Sequence, residues 1–324
     1  MKAIVYHRYG GPEVLGCEDL PKPEPGDDEV LIRVRAASVN PMDCSFLTGV
    51  YLMRLMTGFR RPKLTRPGVD MAGEVEAVGR NVTRFKTGDP VFGAARGAFA
   101  EYVTAAPDRL ALKPATLGFA QAAAIPVAGM TALQGLRDKL RIQPGQRILV
   151  TGSSGGVGSF AVQIAKAFGA EVTALCSTRS VELVRSLGAD HVIDYSREDF
   201  TRSASRYDLI FDTVGNRPLS ACRRVMTPKG TFLAVGARPG GRWIGPLPHL
   251  LRLFASRPFV SQRVVFFVAR VTTEDLNALT RLIESNQVTP VVDRVYPFAE
   301  VADAFRYLKE GHPRGKVVVR IQDP

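Results

Sequence analysis

One stretch decides the fold of this chain: Ile148-Leu149-Val150-Thr151-Gly152-Ser153-Ser154-Gly155-Gly156-Val157-Gly158. Its apolar beginning predicts a buried strand, and the glycines that follow predict a tight turn. After Gly158, apolar residues recur at positions 160, 161, 164, 165 and 168, which is the spacing of an amphipathic helix, and Gly169 marks its end. A strand, a glycine-rich turn and a helix in this order predict a binding site for a phosphate group.

The chemistry of this turn favours a dinucleotide. Glycine allows backbone N–H groups to approach a pyrophosphate, and the start of a helix adds roughly half a positive charge. In the usual G-x-G-x-x-G pattern the first place is taken here by Ser153, while Gly155 and Gly158 keep the other two. Any tight strand-to-helix turn also uses glycine, but this context favours nucleotide binding. The predicted phosphate contacts are Ser153, Ser154, Gly155, Gly156 and Val157.

The end of the next strand indicates which dinucleotide binds. Sites for NAD usually have Asp or Glu there, bound to the ribose hydroxyls. Residues 171–176 are followed instead by Ser177, Thr178 and Arg179, which suit a 2′-phosphate, although Arg179 is alternatively an ordinary solvated residue. We therefore expect NADPH, with NADH less favoured. Further candidate contacts, each of which has a purely structural alternative in surface packing or turn formation, are Tyr195, Thr213, Val214, Gly215 and Gly236.

The remaining segments predict an α/β protein of two domains. From about residue 120, predicted strands at 147–151, 171–176, 191–194, 207–212 and 230–236 alternate with helices, which is typical of a doubly wound parallel (Rossmann) sheet. The first third instead shows strands at 2–6, 30–35, 73–78 and 99–103 separated by Pro and Gly. We assign 1–122 to a β-rich catalytic domain, with the tail 268–324 returning to it, and 123–267 to the NADP-binding domain.

Composition limits the classes of function. The chain has 324 residues, 45% of them hydrophobic, and a formal charge of +12, but no block of five or more Lys and Arg. A basic surface that favours anionic ligands is therefore expected, with no specific nucleic acid. No apolar run approaches the roughly 20 residues that span a bilayer. The four cysteines are scattered without C-x-x-C spacing, which favours a reducing, cytoplasmic location.

Several motifs in order carry a resemblance to a known family. They are residues 37–43, 67–73 and 124–132, followed by the glycine-rich turn. With a β-rich start and a returning tail, the chain resembles the medium-chain dehydrogenase/reductase superfamily along nearly its whole length. The zinc-free, quinone oxidoreductase-like branch is the most similar. This resemblance implies a GroES-like catalytic domain beside the Rossmann domain, and a homodimer.

The same resemblance implies a reaction without zinc. The zinc alcohol dehydrogenases of the superfamily have metal ligands at the positions of Asn40, Val69 and Ala128, and these side chains cannot supply about three protein ligands. Without a Lewis acid, the reaction implied is conjugate reduction, in which NADPH gives hydride to a quinone or an α,β-unsaturated ketone or aldehyde. Hydrogen-bond donors would hold the developing enolate oxygen.

Four residues are candidates for the substrate and cofactor pocket by this resemblance. Asn40 is placed to donate to a carbonyl oxygen, although Asn40-Pro41-Met42-Asp43 is also a good helix start. Tyr51 suits an adaptable apolar wall or plain packing. Thr131 is expected near the nicotinamide, or bonded to a carbonyl of its own helix. Lys316 closes a G-x-x-x-G-K turn and is expected near the cofactor phosphates.

Two rival functions and one further contact stay open. An NAD(P)-dependent alcohol dehydrogenase would need tightly bound zinc, whereas a nucleotide-sensing or nucleic-acid-binding protein would show no turnover and strongly salt-dependent binding. Residues 238–254 combine basic and apolar side chains, which is compatible with peripheral membrane contact but is the less favoured interpretation.

Overall fold

The fold was obtained as a computed structural model of the 324-residue chain. It describes residues 1–50, 54, 57–236, 261–311 and 313–322. Two compact units are present. The first comprises Met1–Val127, Arg270–Glu284 and Pro290–Pro324, and the second comprises Ala128–Ala269 and Ser285–Thr289. The chain therefore returns to the first unit after the second.

The second unit contains a six-stranded, fully parallel sheet. Its strands are β8 (Arg147–Thr151), β9 (Glu171–Cys176), β10 (His191–Asp194), β11 (Tyr207–Asp212), β12 (Met226–Ala234) and β13 (Arg263–Phe266). Their order in the sheet is β10-β9-β8-β11-β12-β13, so the order reverses beside β8. In doubly wound sheets, ligands bind at the carboxyl ends of the strands at such a reversal. The predicted Rossmann sheet is confirmed.

Four α-helices and a π-helix lie in the described part of the second unit. They are α3 (Pro126–Gln134, which begins at the end of the first unit), α4 (Gly156–Ala167), α5 (Val181–Ser186) and α6 (Leu219–Arg223), with a π-helix at Gly135–Leu140. Helix α4 buries Phe160, Ala161, Ile164 and Ala165, as its apolar spacing predicted. It also holds the returning segment, because the side chain of Gln163 exchanges two hydrogen bonds with the backbone of Thr289, at 3.0 and 2.8 Å.

The first unit is built on a mostly antiparallel sheet. It contains β3 (Val30–Val39), β4 (Asp70–Val78), β5 (Pro90–Ala94), β6 (Tyr102–Ala105), β7 (Leu110–Leu112), β14 (Val292–Pro297) and β15 (Lys316–Arg320). The order is β14-β15-β3-β4-β5-β7, with β6 paired to β3. A separate hairpin joins β1 (Lys2–Val5) to β2 (Gly16–Asp19). The GroES-like sheet expected from the sequence is thus present.

The structure gives bounds for four helices in the described part of the first unit. They are α1 (Pro41–Thr48), α2 (Phe119–Ala123), α7 (Thr273–Glu284) and α8 (Val301–Lys309). In the tail, β15 pairs antiparallel with β3 from Val317–Val39 to Arg320–Ala36. Phe305 of α8 is fully buried, with its ring centroid 5.6 Å from that of Phe99. Within the described ranges, no helix is both long and apolar enough to cross a membrane.

One strand prediction was wrong in position. The strand predicted at 99–103 begins only at Tyr102, and Ala100 forms a single bridge with Ala3. Phe99 and Ala100 are fully buried, so their apolar character reflects the core rather than a regular ladder. Short strands β2, β5 and β7 and helix α7 were not predicted.

Candidate active site

The turn between β8 and α4 is shaped by Gly152 and Gly158. Gly152 has a φ of +61°, in the left-handed region that favours glycine, and a Cβ there would lie 2.4 Å from Thr213 Oγ1. A Cβ on Gly158 would lie 2.1 Å from the carbonyl oxygen of Gly152. The tight turn therefore depends on Gly152, which the sequence analysis did not single out, and on Gly158 at the third motif position.

Gly155 leaves open space where the helix begins. It is the N-cap of α4, with φ −80° and ψ 177°, a conformation that any residue adopts. A Cβ on Gly155 would meet only the Gly152 oxygen, at 3.4 Å. The N-cap Gly155 has no side chain with which to cap the helix, and Ser154, Gly155, Gly156 and Val157 are all partly exposed. Backbone N–H groups at an uncapped helix start are the donors that a phosphate requires.

Ser153, which was predicted to contact the phosphate, has its hydroxyl bonded within the protein. It is fully buried, and its hydroxyl donates to the carbonyl oxygen of Leu175 at 2.9 Å. Its backbone N–H also donates to Leu175, at 3.2 Å. Ser153 therefore ties the turn to the end of β9, and its burial leaves no surface for a ligand in this structure.

The ends of β8 and β11 are joined by a compact hydrogen-bond network. Asp212 accepts from the hydroxyl of Thr151 at 2.5 Å and from the backbone N–H groups of Val214 and Gly215, both at 3.1 Å. The hydroxyl of Thr213 donates to the carbonyl of Thr151 at 2.7 Å. These bonds place the predicted contacts at 213–215 beside the glycine-rich turn, and Val214 keeps 37% of its surface exposed.

Gly236 has a clear structural reason to be glycine. A Cβ on this residue would lie 1.8 Å from the carbonyl oxygen of Thr213. Its N–H donates to the carbonyl of Asp212 at 3.0 Å. Close backbone contact between the ends of β11 and β12 thus explains this glycine, whereas its predicted contact with the cofactor stays a prediction.

The end of β9 carries an acidic neighbour that the sequence analysis missed. Asp194 ends β10, pairs in register with Cys176, and accepts from the hydroxyl of Thr178 at 2.6 Å. That hydrogen bond is the main reason why the pKa of Asp194 is lowered. Ser177 and Arg179 flank Thr178 in a short 3-10 turn, and Tyr195 is 49% exposed. The signal for Asp194 was its place at the end of the strand adjacent to β9.

A buried polar network forms around Asp70 in the first unit. Its Oδ2 atom accepts from Ser38 Oγ at 3.0 Å, from Asn40 Nδ2 at 3.0 Å and from Lys316 Nζ at 3.2 Å. Its Oδ1 atom accepts from the backbone N–H of Val127, at 3.0 Å. Asp70 is fully buried, so these donors replace water around its carboxylate.

Lys316, which was predicted to approach the cofactor phosphates, takes part in this network. Only 4% of it is exposed, and its Nζ atom also donates to Asn40 Oδ1 at 2.6 Å. The pairing of β15 with β3 places the ammonium beside Asn40, although the two residues are 276 positions apart in the sequence. In this structure the ammonium of Lys316 therefore forms an ion pair with the carboxylate of Asp70.

Two roles were considered for Asn40: the start of a helix and a donor to a carbonyl oxygen of the substrate. It is the N-cap of α1, with Pro41 at the first helical position, and its backbone N–H donates to Asp43 Oδ2 at 2.8 Å. This confirms the predicted helix start. Its amide is bonded to Lys316 and Asp70 and is 5% exposed, which leaves one N–H of the amide beyond the bond to Asp70.

The carboxyl group of Asp43 is strongly perturbed by its surroundings. Burial raises its pKa to about 7, and the neighbouring charge of Asp70 acts in the same direction. Lys316 and the backbone N–H groups of Asn40 and Gly68 oppose the shift. The cluster holds one ammonium and two carboxyl groups, so Asp43 retains a proton in mildly acidic solution.

Asp43→Asn should remove a pH dependence of stability. The folded pKa lies above the ordinary value of 3.8, so the stabilisation is complete below that value and is lost as the pH rises through about 7. Each pH unit between the two values contributes about 1.4 kcal/mol. The wild type should thus lose about 3 kcal/mol more than the variant between roughly pH 5 and 8, measured by urea denaturation.

An exposed carboxyl provides the control for this measurement. Asp108 is exposed, so Asp108→Asn should keep the wild-type pH dependence. If Asp43→Asn and the wild type lost stability in parallel across this range, Asp43 would not be the titrating group.

The network around Asn40 does not fit a zinc ion. The ammonium of Lys316 lies 2.6 Å from the Asn40 oxygen and would repel a second cation there. Val69 and Ala128, at the other two positions implied by the resemblance, have no donor atom on their side chains. In the part of the chain covered by the structure, no group of three or more His, Cys, Asp or Glu side chains is arranged to hold a metal.

Thr131 and Tyr51 are the other two candidate pocket residues. Thr131 lies on α3 and is partly exposed, so it remains accessible to a ligand. Tyr51 lies outside the described residues, as does the basic and apolar stretch 238–254.

Comparisons with known proteins agree with this fold and with these motifs. The model of the alcohol dehydrogenase GroES-like domain matches residues 26–115, and that of the zinc-binding dehydrogenases matches residues 187–319. An NADPH-dependent alkenal/one oxidoreductase of Arabidopsis thaliana is 38% identical over 98% of this chain and 79% of its own. A 2-methylene-furan-3-one reductase of Solanum lycopersicum is 37% identical over the same shares.

A solved structure shows the same architecture. The quinone oxidoreductase of Coxiella burnetii superposes with a TM-score of 0.87 and 30% identity, covering 99% of both chains. The similarity thus extends along nearly the whole sequence, although residues at the positions of the zinc ligands do not fit a metal. The chain belongs to the medium-chain dehydrogenase/reductase superfamily, in its zinc-free, quinone oxidoreductase-like branch.

Proposed function

We propose that this protein is an NADPH-dependent, zinc-independent reductase that transfers hydride to an activated carbonyl compound, either a quinone or an α,β-unsaturated ketone or aldehyde. The observation that carries the proposal is the uncapped start of α4, with open space at Gly155. A dinucleotide pyrophosphate fits such a turn. Relatives named for alkenal and furanone reduction support the class of substrate.

The glycine-rich turn and the strand ends would hold the cofactor. Ser154, Gly155, Gly156 and Val157 would bind the pyrophosphate through backbone N–H groups, with residues 213–215 beside them. Ser153 supports this site from beneath, through its bonds to Leu175. When bound, the nicotinamide supplies the hydride for conjugate reduction. Gly236 maintains the close approach of β12 to β11. We also propose that Gly236 contacts the cofactor directly.

The preference for NADPH rests on the residues after β9. Ser177, Thr178 and Arg179 offer hydroxyl and guanidinium donors to a 2′-phosphate, and Tyr195 would border the adenosine. The carboxylate of Asp194 is already bonded to Thr178, to the N–H of Ser196 and to Arg197. We infer that Asp194 fixes the conformation of this loop and does not bind the ribose.

The acceptor requires a donor for its developing oxygen charge. Asn40 retains one amide N–H for a carbonyl oxygen, and Lys316 and Asp70 fix the orientation of that amide. Thr131 is a separate candidate for contact with the nicotinamide, and Tyr51 for contact with the substrate. A proton for the resulting enolate comes from water or a hydroxyl group.

We also propose that the chain is a cytoplasmic homodimer. Among the described strands of the second unit, β13 lies at the edge of the sheet, where Phe266 is 36% exposed and the following Val268 is 66% exposed. An exposed apolar edge is a common site of self-association. Light scattering of the purified chain would measure its oligomeric state, and a monomeric mass would exclude the dimer.

One assay tests the proposed reaction. Oxidation of NADPH and of NADH is followed against quinones, enones, saturated aldehydes and alcohols, with metal analysis of the same sample. We expect turnover with quinones or enones, faster with NADPH, and no dependence on added zinc or chelator. Turnover only with alcohols, loss of activity on chelation, or a lack of affinity for both reduced nucleotides would overturn the proposal.

A further inference from the structure

A basic and apolar surface lies on the loop between α1 and β4. Along residues 59–66, four cations alternate with two apolar side chains, and all six are exposed; Phe59 is 63% exposed and Leu64 is 47% exposed. We define the basic face as these six residues together with exposed Arg96: Phe59, Arg60, Arg61, Lys63, Leu64, Arg66 and Arg96.

The backbone beneath the basic face is tethered at several points. Lys63 N–H donates to the carbonyl of Thr57 at 2.7 Å, and the Tyr9 hydroxyl donates to that of Gly58 at 2.7 Å. Tyr6 N–H donates to the carbonyl of Thr65 at 2.8 Å. Gly97 N–H donates to Gly68 at 3.0 Å, which brings Arg96 to the same side as Arg66. The cations are thus presented together by a defined loop.

The positive charge of the basic face is not compensated locally. No Asp or Glu occurs from Cys44 to Val69, and both Asp43 and Asp70 are buried. Within the described part of the chain, none of the five cations of the face forms an ion pair with a carboxylate. Such a concentration of charge attracts an extended anionic surface.

We propose that the basic face docks the protein on the surface of an anionic phospholipid membrane. Clustered Lys and Arg bind acidic headgroups. Aromatic and aliphatic side chains between them insert at the boundary between the headgroups and the acyl chains, where they are removed from water. Phe59 and Leu64 occupy these intermediate positions. A single-stranded nucleic acid fits the face less well, because successive bases stack on several aromatic rings and Phe59 is the one aromatic residue among the seven that define the face.

The experiment measures co-sedimentation of the full chain with lipid vesicles. We compare vesicles of phosphatidylcholine alone with vesicles that contain about one third phosphatidylglycerol, at low and high salt. The wild type should bind the anionic vesicles and be released from them as salt is raised. Each basic residue contributes roughly a fivefold factor, so at low salt the quadruple variant Arg60→Gln/Arg61→Gln/Lys63→Gln/Arg66→Gln should bind about six hundredfold more weakly.

A matched quadruple variant separates a local face from net charge. Lys86, Arg147, Lys229 and Arg281 are exposed elsewhere, so their combined replacement by Gln removes the same charge. We expect this control to bind like the wild type. Phe59→Ser/Leu64→Ser should keep binding at low salt but be released at a lower salt concentration than the wild type, because its apolar anchoring is lost.

Several outcomes would overturn the proposal. Equal binding to neutral and anionic vesicles would exclude charge complementarity, and equal losses in the two quadruple variants would show that only net charge matters. Single-stranded RNA and additional anionic vesicles can each be added as competitors to protein that is bound to vesicles. If less RNA than anionic lipid displaced the protein, the face would be assigned to nucleic acid. NADPH oxidation in the absence of lipid should be unchanged in all these variants.

Discussion

Lys316→Met should lower the free energy of unfolding by about 3–5 kcal/mol, because the substitution leaves a buried carboxylate without its cation. Asp70 is fully buried and accepts from Lys316 Nζ at 3.2 Å. Met fills a similar volume, so the loss reports charge rather than a cavity. Urea denaturation followed by circular dichroism measures the change.

Two further variants show whether the loss of stability comes from the Lys316–Asp70 ion pair. Lys229 is exposed, and Lys229→Met should change stability by no more than about 0.5 kcal/mol. Lys316→Met/Asp70→Asn removes both charges and should recover part of the loss. A single variant within about 1 kcal/mol of the wild type would show that Asp70 tolerates the loss of its cation.

The regular elements were predictable where local pattern and tertiary role agree. The apolar strand at 147–151 and the spacing after Gly158 predicted β8 and α4, because a buried parallel strand and an amphipathic helix have distinct periods. Helix α7 was missed although Leu276, Leu279 and Ile283 show helical spacing and are buried. The signal was present in the sequence, but no element was assigned to this segment.

The buried network was not predictable from local pattern. Lys316 follows Gly315 in a turn that suggested phosphate binding, and only the pairing of β15 with β3 places its ammonium beside Asn40. Ser153 was similarly assigned by its place in a motif, whereas its distance to Leu175 depends on the neighbouring strand. Contacts across hundreds of residues are set by sheet order, which a linear motif does not contain.

Gly158→Ala should weaken the affinity for NADPH by about a hundredfold, because the loss of two backbone hydrogen bonds to a charged pyrophosphate, each about 1.5 kcal/mol, corresponds to a factor of that size. The new Cβ would lie 2.1 Å from the Gly152 oxygen and 2.7 Å from Ser153 Cα, so the turn must move. Both neighbours are backbone atoms, which cannot rotate away as a flexible side chain does. The N–H groups that follow Gly155 would move with the turn.

Gly155→Ala is the matched variant, which tests cofactor binding without disturbing the fold of the turn. Its Cβ meets nothing closer than 3.4 Å, and its φ of −80° suits alanine, so stability should be unchanged. The methyl group would, however, stand in the space assigned to the pyrophosphate, and affinity should fall by roughly tenfold. Titration of nucleotide fluorescence measures both variants. If Gly155→Ala bound NADPH as the wild type does while Gly158→Ala unfolded, the turn would be structural and the dinucleotide would bind elsewhere.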